Sequence, residues 1–370
     1  MSTRRAFTAL MAAGFTEAAF AQRAAIPGAA PSADTVWLNG NEFPEGPPEV
    51  SIEAMARVIG ESNRYHYQEF PPFYAALAKA EGLAAEQILV GAGSSEVLHA
   101  AVEAFTSPTI PLVTAWPTYE APPELALAKG HALVKTPLNA AYAPDVHQLA
   151  AAAEKAGGGL IYLCHPNNPT SRLTTRADIA WLVENLPSST YLLVDEAYLH
   201  YGTSPDAATT MPYVHAGKNV IVSRTFSKIY GMAGLRVGFV AARPDLIQRM
   251  EPYRNNVVSI VSVRAVLAAL ELGLDLIEER RARIDRTRSQ LCSWLTERKI
   301  GFIPPQANFI VIETGQDAGR MQAKMISKGV AVGRSFPTLE KMMRVTIGTD
   351  QEMAKFRQAF TEVLASAKDS

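Results

Sequence analysis

The stretch SRTFSKIYGMAGLRVG, Ser223 to Gly238, decides how this chain folds. It begins where the apolar run Val220-Ile221-Val222 ends and closes on a second run, Val237-Gly238-Phe239-Val240. Runs that are apolar on every residue fit strands covered on both faces. Between the two runs lie the hydroxyls of Ser223, Thr225 and Ser227, the amine of Lys228 and the guanidinium of Arg236. A lysine beside hydroxyls at the end of a buried strand can serve as an amine nucleophile if its pKa is lowered. In an open loop the same lysine is only a solvated surface charge.

Similar runs recur upstream. Ile88-Leu89-Val90, Ile110 to Thr114, Leu160 to Cys164 and Tyr191 to Val194 are predicted strands. Helical spacings separate them. Val97, Leu98, Ala101, Val102 and Phe105 follow one strand, and Ile179, Leu182, Val183 and Leu186 follow Thr174 or Thr175, either of which can cap a helix. This alternation predicts an α/β fold: a mainly parallel sheet covered by helices, binding ligand at the carboxyl ends of its strands. From Val261 one long helix is expected to about Leu295. Strands at Phe309 to Ile312, Val330 to Val332 and Met343 to Ile347 follow, with helices near Ala318 to Lys328 and from Asp350. That density predicts a smaller α+β domain. The expected divisions are 1–35, a leader-like segment and linker; 36–64, an N-terminal arm; 65–255, a large domain; and 256–370, a small C-terminal domain.

Four further constellations fall at predicted strand ends or inside strands. Gly91-Ala92-Gly93-Ser94-Ser95-Glu96 lets backbone approach an anion at a helix N-terminus. Asp195, in Asp195-Glu196-Ala197-Tyr198, closes a buried strand and needs a partner such as a cationic ring nitrogen. His165-Pro166-Asn167-Asn168-Pro169-Thr170 is a loop restricted by two X-Pro bonds, compatible with a cis bond. Arg344 sits inside an apolar strand, where a guanidinium is costly without a carboxylate. Each alone matches an ordinary turn, cap or surface residue; their joint occurrence in this order does not.

Composition narrows the field. Net charge is -1 with 19% charged residues, so there is no basic field for nucleic acid. With 48% hydrophobic residues the chain can bury a substantial core. Two cysteines, Cys164 and Cys292, exclude a disulfide framework and read as buried free thiols. The seven histidines show no metal-ligand spacing. At the start, Thr3-Arg4-Arg5-Ala6-Phe7, the apolar run Ala6 to Phe15 and Ala19-Phe20-Ala21 resemble a twin-arginine export leader, interrupted by Glu17. A functioning leader places the protein in the periplasm; otherwise the expectation is cytoplasmic. The segment is too short for a stable membrane span.

Taken together, LNGNEFPEGPP from Leu38, NRY at Asn63 to Tyr65, GAGSSE, WPTYE at Trp116 to Glu120, HPNNPT, VDEAY, TFSK with GLRVG, and MRVTIGT resemble the fold-type I pyridoxal-phosphate aminotransferases, nearest the histidinol-phosphate aminotransferases. The resemblance runs from about Trp37 to the end. It implies pyridoxal 5'-phosphate held as a Schiff base on Lys228, which also moves the proton. Asp195 would pair with the ring nitrogen, Asn168 and Tyr198 would bond the ring oxygen, and Tyr119 would stack on the ring. Gly93, Ser94, Ser95, Thr225, Ser227 and Arg236 would hold the phosphate. Arg344 would bind the substrate carboxylate and Asn41 would also bind substrate; Arg334 could supply a second anion contact, for a phosphate or a distal carboxylate, or be a surface residue. Tyr65 would reach the cofactor phosphate of a neighbouring subunit, implying a homodimer. Phe43 and His66 depart from the pattern in segments expected to shape the substrate pocket.

The implied reaction is amino transfer between glutamate/2-oxoglutarate and histidinol phosphate or an aromatic amino acid. Two alternatives share the motifs: a decarboxylase of a phosphorylated amino acid, and a non-catalytic sensor on the same fold. A nucleotide-binding reading fails, because neither GxxxxGK[ST] nor a complete GxGxxG is present.

Overall fold

The computed structural model describes residues 32–365; the leader-like segment lies outside them. After a short strand β1 (Val36–Leu38), seven strands form the central sheet: β2 (Ile88–Ala92), β3 (Leu112–Trp116), β4 (Leu133–Pro137), β5 (Gly159–Cys164), β6 (Thr190–Asp195), β7 (Val220–Thr225) and β8 (Val237–Ala241). Their order is β2-β8-β7-β6-β5-β3-β4, and only β8 runs against the rest. Alternate side chains feed two cores. Leu193, Ile221 and Val240 pack with Val97, Leu98 and Phe105 on one face, while Leu192, Val194, Val220 and Val222 face the other. Both faces are dry, which is why these strands read as unbroken apolar runs.

The strand bounds differ in places from those expected of the sequence. The strand expected at Ile110 starts at Leu112: Ile110 N is turned back to Ser107 Oγ, Pro111 has no N–H, and Leu112 N is the first to join the ladder, donating to Ala132 O at 2.8 Å. β4 escaped notice. It is an edge strand, LVKTP, half-exposed and ending in proline.

The smaller unit contains the antiparallel sheet β12-β10-β9, built from β9 (Phe302–Ile303), β10 (Phe309–Glu313) and β12 (Met342–Thr346). β11 (Val330–Val332) pairs in parallel with β1, so the N-terminal arm joins the C-terminal third. Ser51 Oγ donates to Ala265 O at 2.7 Å, fastening the arm's helix Glu49–Val58 to helix Ile260–Glu271. The expected single helix from Val261 to Leu295 is two, Ile260–Glu271 and Gly273–Glu297. Gly273, with φ +61°, turns the chain between them. Both cysteines are free, but Cys292 is only partly buried. No helix among the described residues is long and apolar enough to cross a membrane.

Candidate active site

The loops after β2, β3, β6 and β7, and the turn entering antiparallel β8, meet at one end of the sheet. There they enclose a cavity of about 340 Å3. Ser94, Ser95, Tyr119, Asp195, Tyr198, Thr225, Ser227, Lys228 and Arg236 line it, together with Gly40, Glu42, Ala197 and Ala233.

One wall is built to receive an anion. Gly93 (φ +83°) ends the turn after β2, and helix Ser94–Phe105 starts with no side-chain cap. Gly238 leaves room for the backbone of Ser94, which a Cβ would strike. The Arg236 guanidinium lies so close over Gly93 that a Cβ there would also collide. Arg236 Nη1 donates to Ser227 Oγ at 3.3 Å and to Ala233 O at 3.1 Å, and Ser227 N donates to Thr225 Oγ1 at 3.1 Å.

The floor carries Asp195 at the end of β6. Its carboxylate accepts from Tyr162 Oη at 3.0 Å and from Ala197 N at 3.2 Å. Burial nevertheless raises its pKa to about 6, so these neutral donors do not replace a cation. Lys228 projects into the same cavity, with Nζ donating to Gly40 O at 3.1 Å. Burial lowers its pKa to about 8, followed by the positive charges of Arg344 and Arg236 and opposed by Glu42 and Asp195. Of the two guanidiniums, Arg344 contributes more than Arg236.

Arg344, on β12, is buried beside Tyr198. Nη1 donates to Asn168 Oδ1 at 2.7 Å and Nη2 to Asn39 O at 2.8 Å, while Nε has no partner among the described residues. Burial lowers its pKa to about 10. The carboxylate its position demands is thus missing from its direct bonds. Asn41 Nδ2 donates to the Tyr198 hydroxyl at 3.2 Å, and Tyr119 and Ser95 share a hydroxyl contact at 3.2 Å. The bonds His165-Pro166 and Asn168-Pro169 are both cis. Buried Asn167 bonds Pro117 O, Thr118 and Thr170, fixing the loop that presents Asn168.

Three singled-out residues lie elsewhere. Tyr65 is 69% exposed and stacks on Tyr67 at 5.2 Å, outside this chain's cavity. Phe43 is buried under Arg280, 4.3 Å from its guanidinium, and does not line the cavity. His66 bonds Glu61 O at the exposed surface.

The family model for aminotransferase class I and II matches residues 33–360. The chain belongs to this family. Its relatives include the histidinol-phosphate aminotransferase of Symbiobacterium thermophilum, 32% identical over 90% of this chain and 91% of that one. The aromatic amino acid aminotransferase of Cutibacterium acnes is 30% identical over 91% and 95%. Among solved structures, histidinol-phosphate aminotransferase from Sinorhizobium meliloti in complex with pyridoxal-5'-phosphate superposes with a TM-score of 0.82. It is 27% identical and covers 90% of this chain and 91% of that one.

Several residues that shape this aminotransferase's site were not singled out from the sequence. Tyr162 is one of a run of apolar strand residues, and only the fold puts its hydroxyl on Asp195. Glu42 follows the arm's Asn41 and reaches the cavity from the far end of the chain. Glu96 accepts from Ala92 N at 2.6 Å and from Asn255 N and Asn256 N at 3.0 and 2.8 Å, tying a distant segment to the anion turn. A glutamate two residues into a helix signals only a favourable dipole in sequence.

Proposed function

We propose that the protein is a pyridoxal-phosphate-dependent aminotransferase exchanging an amino group between glutamate/2-oxoglutarate and histidinol phosphate or an aromatic amino acid. One observation carries this: Lys228 and Asp195 face a single cavity whose opposite wall is the uncapped helix N-terminus with Gly93 and Arg236. The residues fit the cofactor. A phosphate dianion suits the turn, whose glycine a Cβ would block, and buried Asp195, raised to about 6, suits a cationic ring nitrogen.

When bound, pyridoxal 5'-phosphate supplies an electron-withdrawing ring conjugated to the carbon that accepts the amino group. Asp195 holds a proton at the ring nitrogen. Lys228 supplies the amine that anchors the cofactor and, once free, takes and returns the substrate Cα proton, a task suited to a pKa near 8. Tyr198 and Asn168 would hold the ring oxygen, Tyr119 would pack against the ring, and Ser94, Ser95, Thr225, Ser227 and Arg236 would hold the phosphate. Arg344, whose Nε has no partner among the described residues, would receive the substrate carboxylate in the planar geometry guanidinium favours. Asn41 positions Tyr198.

The experiment is the visible spectrum of the holoenzyme as phenylalanine, histidinol phosphate and glutamate are added separately. The cofactor's visible band should bleach with at least one of them, without release of carbon dioxide. Carbon dioxide release, or no bleaching with any donor, would remove the aminotransferase assignment.

We further propose a homodimer in which Tyr65 completes the partner's cofactor site. Its support is a tyrosine 69% exposed and stacked on Tyr67, 62% exposed, an arrangement costly in water without a covering surface.

A further inference from the structure

Arg334 precedes Phe336 in the loop between β11 and β12, and its guanidinium pairs with the carboxylate of Glu120. Glu120 directly follows the cavity residue Tyr119 and opens helix Ala121–Ala128. Its side chain is only 12% exposed, whereas that of Arg334 is 39% exposed. Arg334 and Arg344 lie over the same Phe336 ring, 4.4 and 5.0 Å from its centroid. The charges of both Arg334 and Glu120 are felt at Arg344. Two guanidiniums therefore share one aromatic ring, and one of them is already paired with a carboxylate.

The charge balance has a consequence for substrate choice. An α-carboxylate carries one negative charge, which Arg344 alone can match. A phosphate monoester carries nearly two at neutral pH and needs a second cation. Arg334 is the second guanidinium on that ring, and Glu120 holds it. A phosphate bound there must either expel Glu120, stranding a largely buried carboxylate, or sit beside it against like-charge repulsion.

We propose that Glu120 is a specificity-determining residue, which engages Arg334 and so favours α-amino carboxylates, such as aromatic amino acids, over phosphate-ester amines. This rests on the aminotransferase reading and deepens it. The pair also ties the Tyr119 loop to the loop between β11 and β12, so the discrimination is fixed by two separate elements.

The test compares single-turnover kcat/KM for phenylalanine and histidinol phosphate in the holoenzyme and in Glu120→Gln. The wild type should prefer phenylalanine. In Glu120→Gln the ratio of histidinol phosphate to phenylalanine should rise about tenfold, roughly one charge-assisted bond. Adding Arg334→Ala to Glu120→Gln should abolish the gain. A wild-type preference for histidinol phosphate, an unchanged ratio, or a gain that survives Arg334→Ala would overturn the proposal. If neither donor is converted, the aminotransferase reading fails separately. Calorimetric binding of histidinol phosphate then still decides on Glu120: tighter binding in Glu120→Gln supports it, and equal affinity refutes it.

Discussion

Asp195 and Lys228 are both held in protonation states that burial disfavours, and their pH behaviour should expose this. Asp195 is raised from 3.8 to about 6, so the folded, cofactor-free protein binds the extra proton more readily than the unfolded chain between those values. Stability should fall as pH rises through that window, and the full penalty remains above pH 6. Asp195→Asn removes the charge while keeping the shape. It should stabilise the cofactor-free protein by up to about 3 kcal/mol above pH 6 and by little near pH 4, as read by urea unfolding. Lys228, lowered from 10.5 to about 8, behaves oppositely: its penalty is complete below pH 8 and relieved as pH rises toward 10.5. Covalent capture of an added aldehyde by Lys228 should therefore rise with a midpoint near pH 8. A midpoint above 10 would mean an ordinary surface lysine.

The chemistry-bearing residues were legible because strand ends advertise them. Lys228, Asp195 and Arg236 each adjoin a run of apolar residues, and physical cost singles out a charge in that setting. Glu120 and Tyr162 had no such contrast: one lies among loop residues, and the other is a large ring in a strand of apolar neighbours.

At the level of elements, the ends of β6 and β7 are locked by a buried ionic cluster. Arg224 donates to Glu196 at 3.0 Å, to Glu81 at 3.0 Å and to Thr209 Oγ1 at 2.9 Å, and Glu196 also accepts from Thr210. Glu81 ends helix Phe70–Glu81, so the cluster joins that helix to the two strands that present Asp195 and Lys228. Arg224→Ala leaves two acids without their cation and should cost about 3–5 kcal/mol of stability by thermal or denaturant unfolding. Gly93→Ala acts differently. Its Cβ would displace Arg236 and strain a backbone at φ +83°, so cofactor affinity should fall about tenfold to a hundredfold, by equilibrium titration, while the sheet persists. Element types were readable from periodicity where burial is complete, as in β5, β6 and β7. They were missed where it is not, as in β4. The break at Gly273 was hidden because Leu272 and Leu274 on either side continue the helical composition.

Over the whole molecule, the site depends on distant parts of the chain converging. The arm supplies Glu42 to the cavity and Asn41 to Tyr198, the sheet supplies the anchors, and β12 supplies Arg344 to Asn168, with β1 paired to β11. The α/β class and the smaller C-terminal unit followed from the sequence. The reversed direction of β8 did not, because an apolar run carries no sign of strand direction. If Tyr65 completes a partner's site, sedimentation should give a dimer. Tyr65→Ala should then bind cofactor more weakly while Lys228 remains reactive. A fully active monomer would end that reading.

Everything proposed for the site depends on Lys228 anchoring the cofactor. Borohydride reduction of the holoenzyme followed by peptide mass analysis tests it directly. A pyridoxyl-phosphate adduct is expected on the peptide containing Lys228, and none in Lys228→Ala. An adduct confined to another lysine, or none in the wild type, would contradict it.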